Sequence, residues 1–536
     1  MTPDTADLAI QAAHPPIVAA TGELVPALAS AGADAATGLS LPRSSPSPAG
    51  AGAGVRLWRP VRLSTVLGAL DPAQAAAIRE VWRALWTSRL LVWLAGVGAM
   101  LAFGFGPVRG AFDPRGVTRG LGTLGGLLAA PAARWDAAWY LVIAHYGYRL
   151  DLGPFTASRT AFFPLYPLGL GAIARAGVPP IAAGVLLSVV ALALALYGIH
   201  RLTTLELGDA GAARGAEAAR LAVLVTAFAP MAFFFSAVYS ESLYLALSVG
   251  VFLCARRGRW AWVGVLGALA TATNGAGVVL VLGAAMIYLY GPREDRGPDL
   301  SPGQSPIPGP GRRLTRVTSR LNAMRSRIAP RSLEIACSRI ASKIAPRYRL
   351  RRDFLWLALM PAGVGLYMAY LALNGGNALM PLHAQDVWGR HFAGPYMGVW
   401  DGLKAALAGA RQLLSGQRAH VYFPAAGGSP TIVAGHNLML LAFLAAAVPM
   451  IVGVGRTLPR AYGVYVIAAL ALPLSYPVAS QPLMSLPRFL VVLFPLGIWL
   501  GAWLVAHPRA RVPVLVGSGA LMVCFVAQFA TWHWVA

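Results

Sequence analysis

The chain has 536 residues, of which 57% are hydrophobic and 12% charged, about half the charge of an ordinary soluble domain. Apolar runs of about 20 residues recur along it, each long enough to cross about 30 Å of hydrocarbon as a helix, which excludes a soluble globular enzyme. The net charge of +24 comes mainly from arginines in short links between apolar segments, a positive-inside pattern that argues against nucleic acid as the partner.

Residues 1–55 are rich in Ala, Pro, Gly and Ser and lack the basic start and compact apolar core of a signal peptide. They read as a disordered cytoplasmic tail. The first predicted span is 87–106, and Arg79, Arg83 and Arg89 before it place the amino terminus in the cytoplasm. Residues 107–178 then form a first outer loop, whose mixture of Trp, Tyr, Pro and charge suits interfacial helices lying on the membrane. Further spans are expected at 179–200, 219–235, 240–256, 259–273, 276–290, 354–373, 435–455, 461–479, 489–506 and 512–531. That makes about eleven transmembrane helices in an all-α polytopic membrane protein. The stretch 259–290 is too long for one crossing and is interrupted at Asn274 and Gly275, so it reads as two short helices meeting near the outer face or as one broken helix.

Residues 56–290 thus form an amino-terminal transmembrane catalytic part and 354–536 a carboxy-terminal one, which carries a second outer loop at 374–434. Between them the link 291–353 holds fifteen Arg plus Lys against five Asp plus Glu, so it belongs in the cytoplasm. Counting spans from an inner amino terminus gives the same side. Within the link, Leu314, Val317, Leu321, Met324 and Ile328 recur at helical spacing among arginines. This face would rest on anionic lipids, or the link is a mobile basic connector. Cys254, Cys337 and Cys524 stand singly, without metal or disulfide spacing, and read as packing residues.

Ionisable groups near hydrocarbon are costly and are usually kept for a task. The first outer loop offers Arg134, Trp135 and Asp136 in RWDAAWYLVIAHYGY, followed by TAFFPLYP at 160–167. Asp136, Tyr140 and Ile143 share one helical face. Asp136 also has a plain reading, as a helix-start carboxylate or an ion pair with Arg134. These two motifs, with FFFSAVYSES at 233–242, HAQDVWGR at 383–390 and SLPRF at 485–489, resemble the PIG-V family, the GPI mannosyltransferase 2 type and its prokaryotic relatives. The resemblance covers most of 87–536.

The resemblance implies a GT-C-type glycosyltransferase fold, a polyprenyl- or dolichyl-phosphate-linked sugar donor with mannose as its sugar, and an acidic residue of the first outer loop, here Asp136, as base. Relatives commonly carry a basic residue with Pro or Gly where this chain reads Thr273, Asn274 and Gly275, which leaves a donor-phosphate contact at this bend unsupported. The residues suit the chemistry in their own right, because such transfer needs a base for the acceptor hydroxyl and a cation for the departing phosphate. Arg488, just before an inward-running span, is placed to pair with a lipid phosphate or to snorkel. Glu241 would orient the acceptor, tune Asp136 or help hold a divalent cation, or it is a simple helix-start carboxylate. Arg134, Trp135, His145, Asp386, Arg390 and His391 are carried as substrate contacts, and no metal site is assigned.

A nucleotide-sugar donor is disfavoured, because the chain has neither a soluble α/β domain nor a DxD pair. The acceptor is open among glycolipid, glycan and protein. The Ala- and Arg-rich composition suggests a bacterial plasma membrane with the catalytic face outside, or the endoplasmic reticulum for a eukaryotic source. The rival readings are a transporter or lipid flippase, against which stand outer-loop polar groups and the lack of repeated halves, and a non-catalytic assembly subunit.

Overall fold

The structure, a computed structural model, describes residues 71–106, 122–150, 158–208, 211–299, 346–416, 429–478 and 481–535. The tail 1–55, the amphipathic stretch 314–328 and Cys337 lie outside them. Among the described residues every regular element is helical, apart from one isolated antiparallel bridge between Arg390 and Val478.

In chain order the α-helices are α1 (Pro72–Phe103), α2 (Gly122–Ala129), α3 (Ala137–Tyr146), α4 (Leu165–Arg175), α5 (Pro180–Leu207), α6 (Ala212–Ala227), α7 (Glu241–Arg256), α8 (Trp260–Thr273) and α9 (Leu280–Tyr290). After the link come α10 (Ala362–Gly375), α11 (Met380–His383), α12 (Pro395–Ser415), α13 (Pro430–Thr457), α14 (Arg460–Leu474), α15 (Leu486–Val491), α16 (Phe494–Ala506) and α17 (Pro508–Ala530). Proline opens α1, α5, α12, α13 and α17, where its missing N–H has no intrahelical partner to lose. Ser429 caps α13 by accepting from the Ile432 amide.

Four helices, α1, α5, α13 and α17, are long and apolar enough to cross a membrane. The segment Arg352–Leu359 with α10 adds a fifth if this pair, bent by 43°, is one span. The remaining apolar helices are shorter. Trp260–Thr273 and Phe494–Ala506 reach only about 20 Å at 1.5 Å per residue, so length and composition support four or five spans and leave the count of eleven open. Bulky apolar side chains face outward, among them Leu90, Leu94 and Phe103 of α1, Leu366 and Leu373 of α10 and Val516 of α17. Such a belt is stable against lipid and a liability in water.

Helix pairs meet through small residues, as expected where lipid supplies no hydrophobic drive. Gly497 and Gly501 of α16, spaced GxxxG, lie against α6: a Cβ on Gly501 would stand 2.6 Å from the Ala222 amide nitrogen. α5 packs on α6 and α7, α1 on α17, α9 on α14 and α8 on α10.

Two expectations change. The helix that carries the first predicted span starts at Pro72, fifteen residues before the expected start at 87, and Arg89 is not an exposed flanking charge. It is buried within α1 and donates to the Ala232 carbonyl at 2.6 Å, the Ala227 carbonyl at 2.9 Å and the Ser236 hydroxyl at 3.1 Å, so that it serves the last carbonyl of α6 and ties α1 to the 3-10 segment Ala232–Ser236. Among its described residues the segment 107–178 does contain short helices, and one of them, α3, is packed inside the protein. Its residues Ala137 to Ile143 are all buried in the protein.

The two ends of the basic link are tied together. The amides of Arg347 and Tyr348 donate to the Leu289 carbonyl, and the Asp299 amide donates to the Arg347 carbonyl. The side chain of Arg293 is wholly buried, lies over Trp260, Tyr288 and Tyr348, and pairs with Asp295 at 2.6 Å. Burial opposes ionisation of Asp295, yet the hydrogen bonds and charge of Arg293 outweigh it and hold this carboxyl below its usual range.

Candidate active site

A cavity of about 600 Å³ lies where α3, the start of α7, the α8–α9 bend, α10, α11, α14 and α15 converge. Its lining includes four charged residues: Asp136, Glu241, Arg390 and Arg488.

Asp136 reaches the cavity because the backbone before it is clamped. The Val238 amide donates to the Ala132 carbonyl at 2.9 Å, and the Tyr239 hydroxyl donates to the Arg134 carbonyl at 3.0 Å. Trp135 takes a left-handed conformation, φ 54°, with its ring buried edge-on against Trp532 and Trp534. The chain turns there and delivers Asp136 at the start of α3. Ser485, φ 69°, makes the equivalent turn ahead of α15 and delivers Arg488 from the other side. Non-glycine residues in this region cost about 1–3 kcal/mol each and cluster at functional sites.

The two sides meet in an ion triad. Arg488 Nη1 donates to Asp136 Oδ2 at 2.8 Å, and Arg488 Nε lies 3.1 Å from Glu241 Oε1, an ion-pair contact without hydrogen-bond angles. The three side chains are 17%, 14% and 11% exposed for Arg488, Asp136 and Glu241. Phe234, Tyr239 and Phe489 stand beside the guanidinium, each 5.8 Å from ring centre to Cζ. Burial alone would weaken the basicity of Arg488, but the charges of Glu241 and Asp136 overcome it and hold the guanidinium firmly protonated. Oε2 of Glu241 is buried and has no hydrogen-bond partner.

Tyr140 shares a 2.9 Å hydrogen bond with Ser240. Burial and then the charge of Glu241 push its phenol far above the usual range, so it stays neutral. Asn274 accepts from the Ala276 amide at 3.0 Å, which turns the chain from α8 into the short 3-10 segment Gly275–Val279. Thr273, Asn274 and Gly275 all face the cavity.

Asp136, Glu241, Arg390 and Arg488 therefore come together, although 352 residues separate the first from the last. Arg134 points elsewhere: its Nε donates to the Ala530 carbonyl at 3.0 Å and its guanidinium covers Trp532. With Trp135 it supports the wall from behind. His145 and His391 are exposed, and neither is in the cavity lining. Asp386 is exposed and outside the lining, whereas its neighbour Gln385 lines it. Sequence reasoning missed Ser240, Tyr476 and Trp534, all in the lining. Ser240 had a signal, since it adjoins Glu241 in a quoted motif; Trp534 had none.

Among the described residues no group of three or more His, Cys, Asp or Glu is arranged to hold a metal ion. A divalent cation at Asp136 and Glu241 would have to compete with Arg488 for both carboxylates.

The buried charges, their aromatic surround and the bend over the cavity all lie in or beside the segment that the comparison with known families matches. Residues 123–290 match the family model described as Mannosyltransferase (PIG-V). The matched segment is narrower than the resemblance over 87–536, and it contains Asp136, Tyr140, Ser240, Glu241 and Asn274 but neither Arg390 nor Arg488. A comparison with curated proteins finds no significant match. The description of the matched family names mannosyl transfer, and the match covers less than half of the chain.

Proposed function

We propose that this protein transfers mannose from a polyprenyl- or dolichyl-phosphate donor to an acceptor hydroxyl at the outer membrane face, with inversion at the anomeric carbon. The observation that carries the reading is the Asp136–Arg488–Glu241 triad on the wall of a cavity within and beside a PIG-V domain.

In this mechanism the acceptor oxygen attacks the anomeric carbon and forms the new glycosidic bond. The bond from that carbon to the donor phosphate oxygen breaks, and its electron pair leaves with the lipid phosphate. Asp136 takes the hydroxyl proton. Arg488 holds Oδ2 of this carboxylate, leaving Oδ1 for the proton. Glu241 Oε2, buried and unpaired, accepts a hydrogen bond from the acceptor and so orients it. The leaving phosphate gains negative charge during transfer, which favours a cation fixed beside it. The topology taken with this reading keeps eleven crossings and the basic link inside against anionic lipid.

The test is Asp136→Asn in the full-length protein, reconstituted with polyprenyl-phosphate mannose. Loss of a general base predicts a fall of about 10²–10⁴ in transfer, with normal insertion and monodisperse elution from a sizing column. Undiminished transfer removes Asp136 from this role. Movement of the lipid headgroup across vesicles without sugar transfer would favour the flippase instead.

A further inference from the structure

Two arginines line the cavity, and the structure distinguishes their tasks. Arg488 is already committed, with Nη1 on Asp136, Nε beside Glu241 and aromatic rings around the guanidinium. With both carboxylates ionised, the triad of one cation and two carboxylates sums to one negative charge, a poor receiver for a phosphate. Arg390 is the remaining cation. Its Nη2 donates to the Met484 carbonyl at 3.3 Å, and no carboxylate pairs with it among the described residues.

The root of this side chain is fixed. Arg390 bridges Val478 backbone to backbone, its amide donates to the Gln385 carbonyl at 3.2 Å, and the Ala393 amide donates to the Ser475 carbonyl at 2.8 Å. Burial, then the positive field of Arg488, lowers its basicity to about 10, with Asp136 opposing the shift. A cation so placed gains from an arriving anion. Leu379 and Leu382, on the same outer segment, line the cavity and are also exposed on the protein surface. They give the cavity an apolar edge that is open to the exterior, suited to the chain of a lipid.

We propose that Arg390, and not Arg488, receives the phosphate of the donor and of the departing lipid phosphate, while Arg488 acts as a positioning residue for the two carboxylates. This rests on the reading that the donor is a lipid phosphate. A guanidinium with most of its N–H groups uncommitted offers the forked, charge-assisted contact that phosphate oxygens favour.

The experiment measures binding of a ten-carbon prenyl monophosphate, and of the matching prenol, to the full-length protein in detergent by titration calorimetry. Arg390→Met should weaken the phosphate at least tenfold and leave the prenol unchanged. Arg390→Lys should lose less, because it keeps the charge without the fork, and it serves if the Met variant does not fold. Arg488→Lys should change phosphate binding less than threefold while abolishing transfer. Phosphate binding that survives Arg390→Met and Arg390→Lys but falls tenfold in Arg488→Lys overturns the assignment and leaves the donor reading intact. A wild-type protein that does not distinguish the phosphate from the prenol overturns the donor reading, and this assignment with it.

Discussion

Replacing Arg488 by methionine removes the charge between two carboxylates that are 14% and 11% exposed. Breaking a buried pair from one side leaves uncompensated charge and costs about 3–5 kcal/mol, and here two partners are stranded. The upper part of that range, about 4–5 kcal/mol, is expected, or roughly three powers of ten in the folding equilibrium. The cost comes from stranded charge more than from lost packing. The triple variant Asp136→Asn, Glu241→Gln, Arg488→Met should therefore return to within about 1 kcal/mol of wild type, since a neutral replacement of a buried ionic cluster is often tolerated. Transfer should be absent from both variants. Reversible unfolding in mixed micelles, followed by tryptophan fluorescence, measures the stabilities. The reasoning fails if Arg488→Met is as stable as wild type, or if the triple variant is as unstable as the single one.

Arg89→Met strands the Ala227 and Ala232 carbonyls beneath α1, and at about 1–3 kcal/mol for each unmet buried acceptor it should lose about 2–6 kcal/mol. Arg89→Lys, with one nitrogen for three acceptors, should recover part of this in the same unfolding assay. Gly363→Ala puts a methyl 1.9 Å from the Ala268 carbonyl oxygen, whereas the same change at Gly365 meets nothing within 4 Å. The first should cost at least about 2 kcal/mol and reduce transfer, since α8 and α10 both wall the cavity. The second should stay within about 0.5 kcal/mol of wild type, and equal melting of the two variants would refute the close approach.

The helical, apolar character of the chain was legible because it rests on composition and segment length, which need no tertiary context. Helix ends were less so. Span one was placed at its hydrophobic centre, and the polar half of α1 that begins at Pro72 carries Arg79, Arg83 and Arg89, which read as flanks. Arg89 shows why: its partners lie 138 to 147 residues away, and one position cannot reveal whether a basic residue meets lipid headgroups or carbonyls. The site was legible in part for the same reason. Asp136, Glu241, Arg390 and Arg488 stood out as charges in apolar surroundings, which is a local property. The different orientation of Arg134, two residues from Asp136, was not visible, because it is set by the left-handed turn at Trp135 and by the carboxy-terminal residues Ala530 and Trp532.

That turn also bears on why the charged groups come from short elements and not from the middle of long helices. A long helix presents side chains on a cylinder, and bringing two carboxylates within 3.1 Å of one guanidinium from three such cylinders would leave other polar atoms in hydrocarbon. Here Asp136 stands at the start of α3, Glu241 at the start of α7 and Arg488 in the six-residue α15, where chain direction is free to change. The left-handed residues Trp135 and Ser485 make those changes close to Asp136 and Arg488. The local cost of such conformations, about 1–3 kcal/mol each, is comparable to what a single buried ion pair loses when one partner is removed. Backbone strain and charge pairing thus balance within one site, and each holds the other in place.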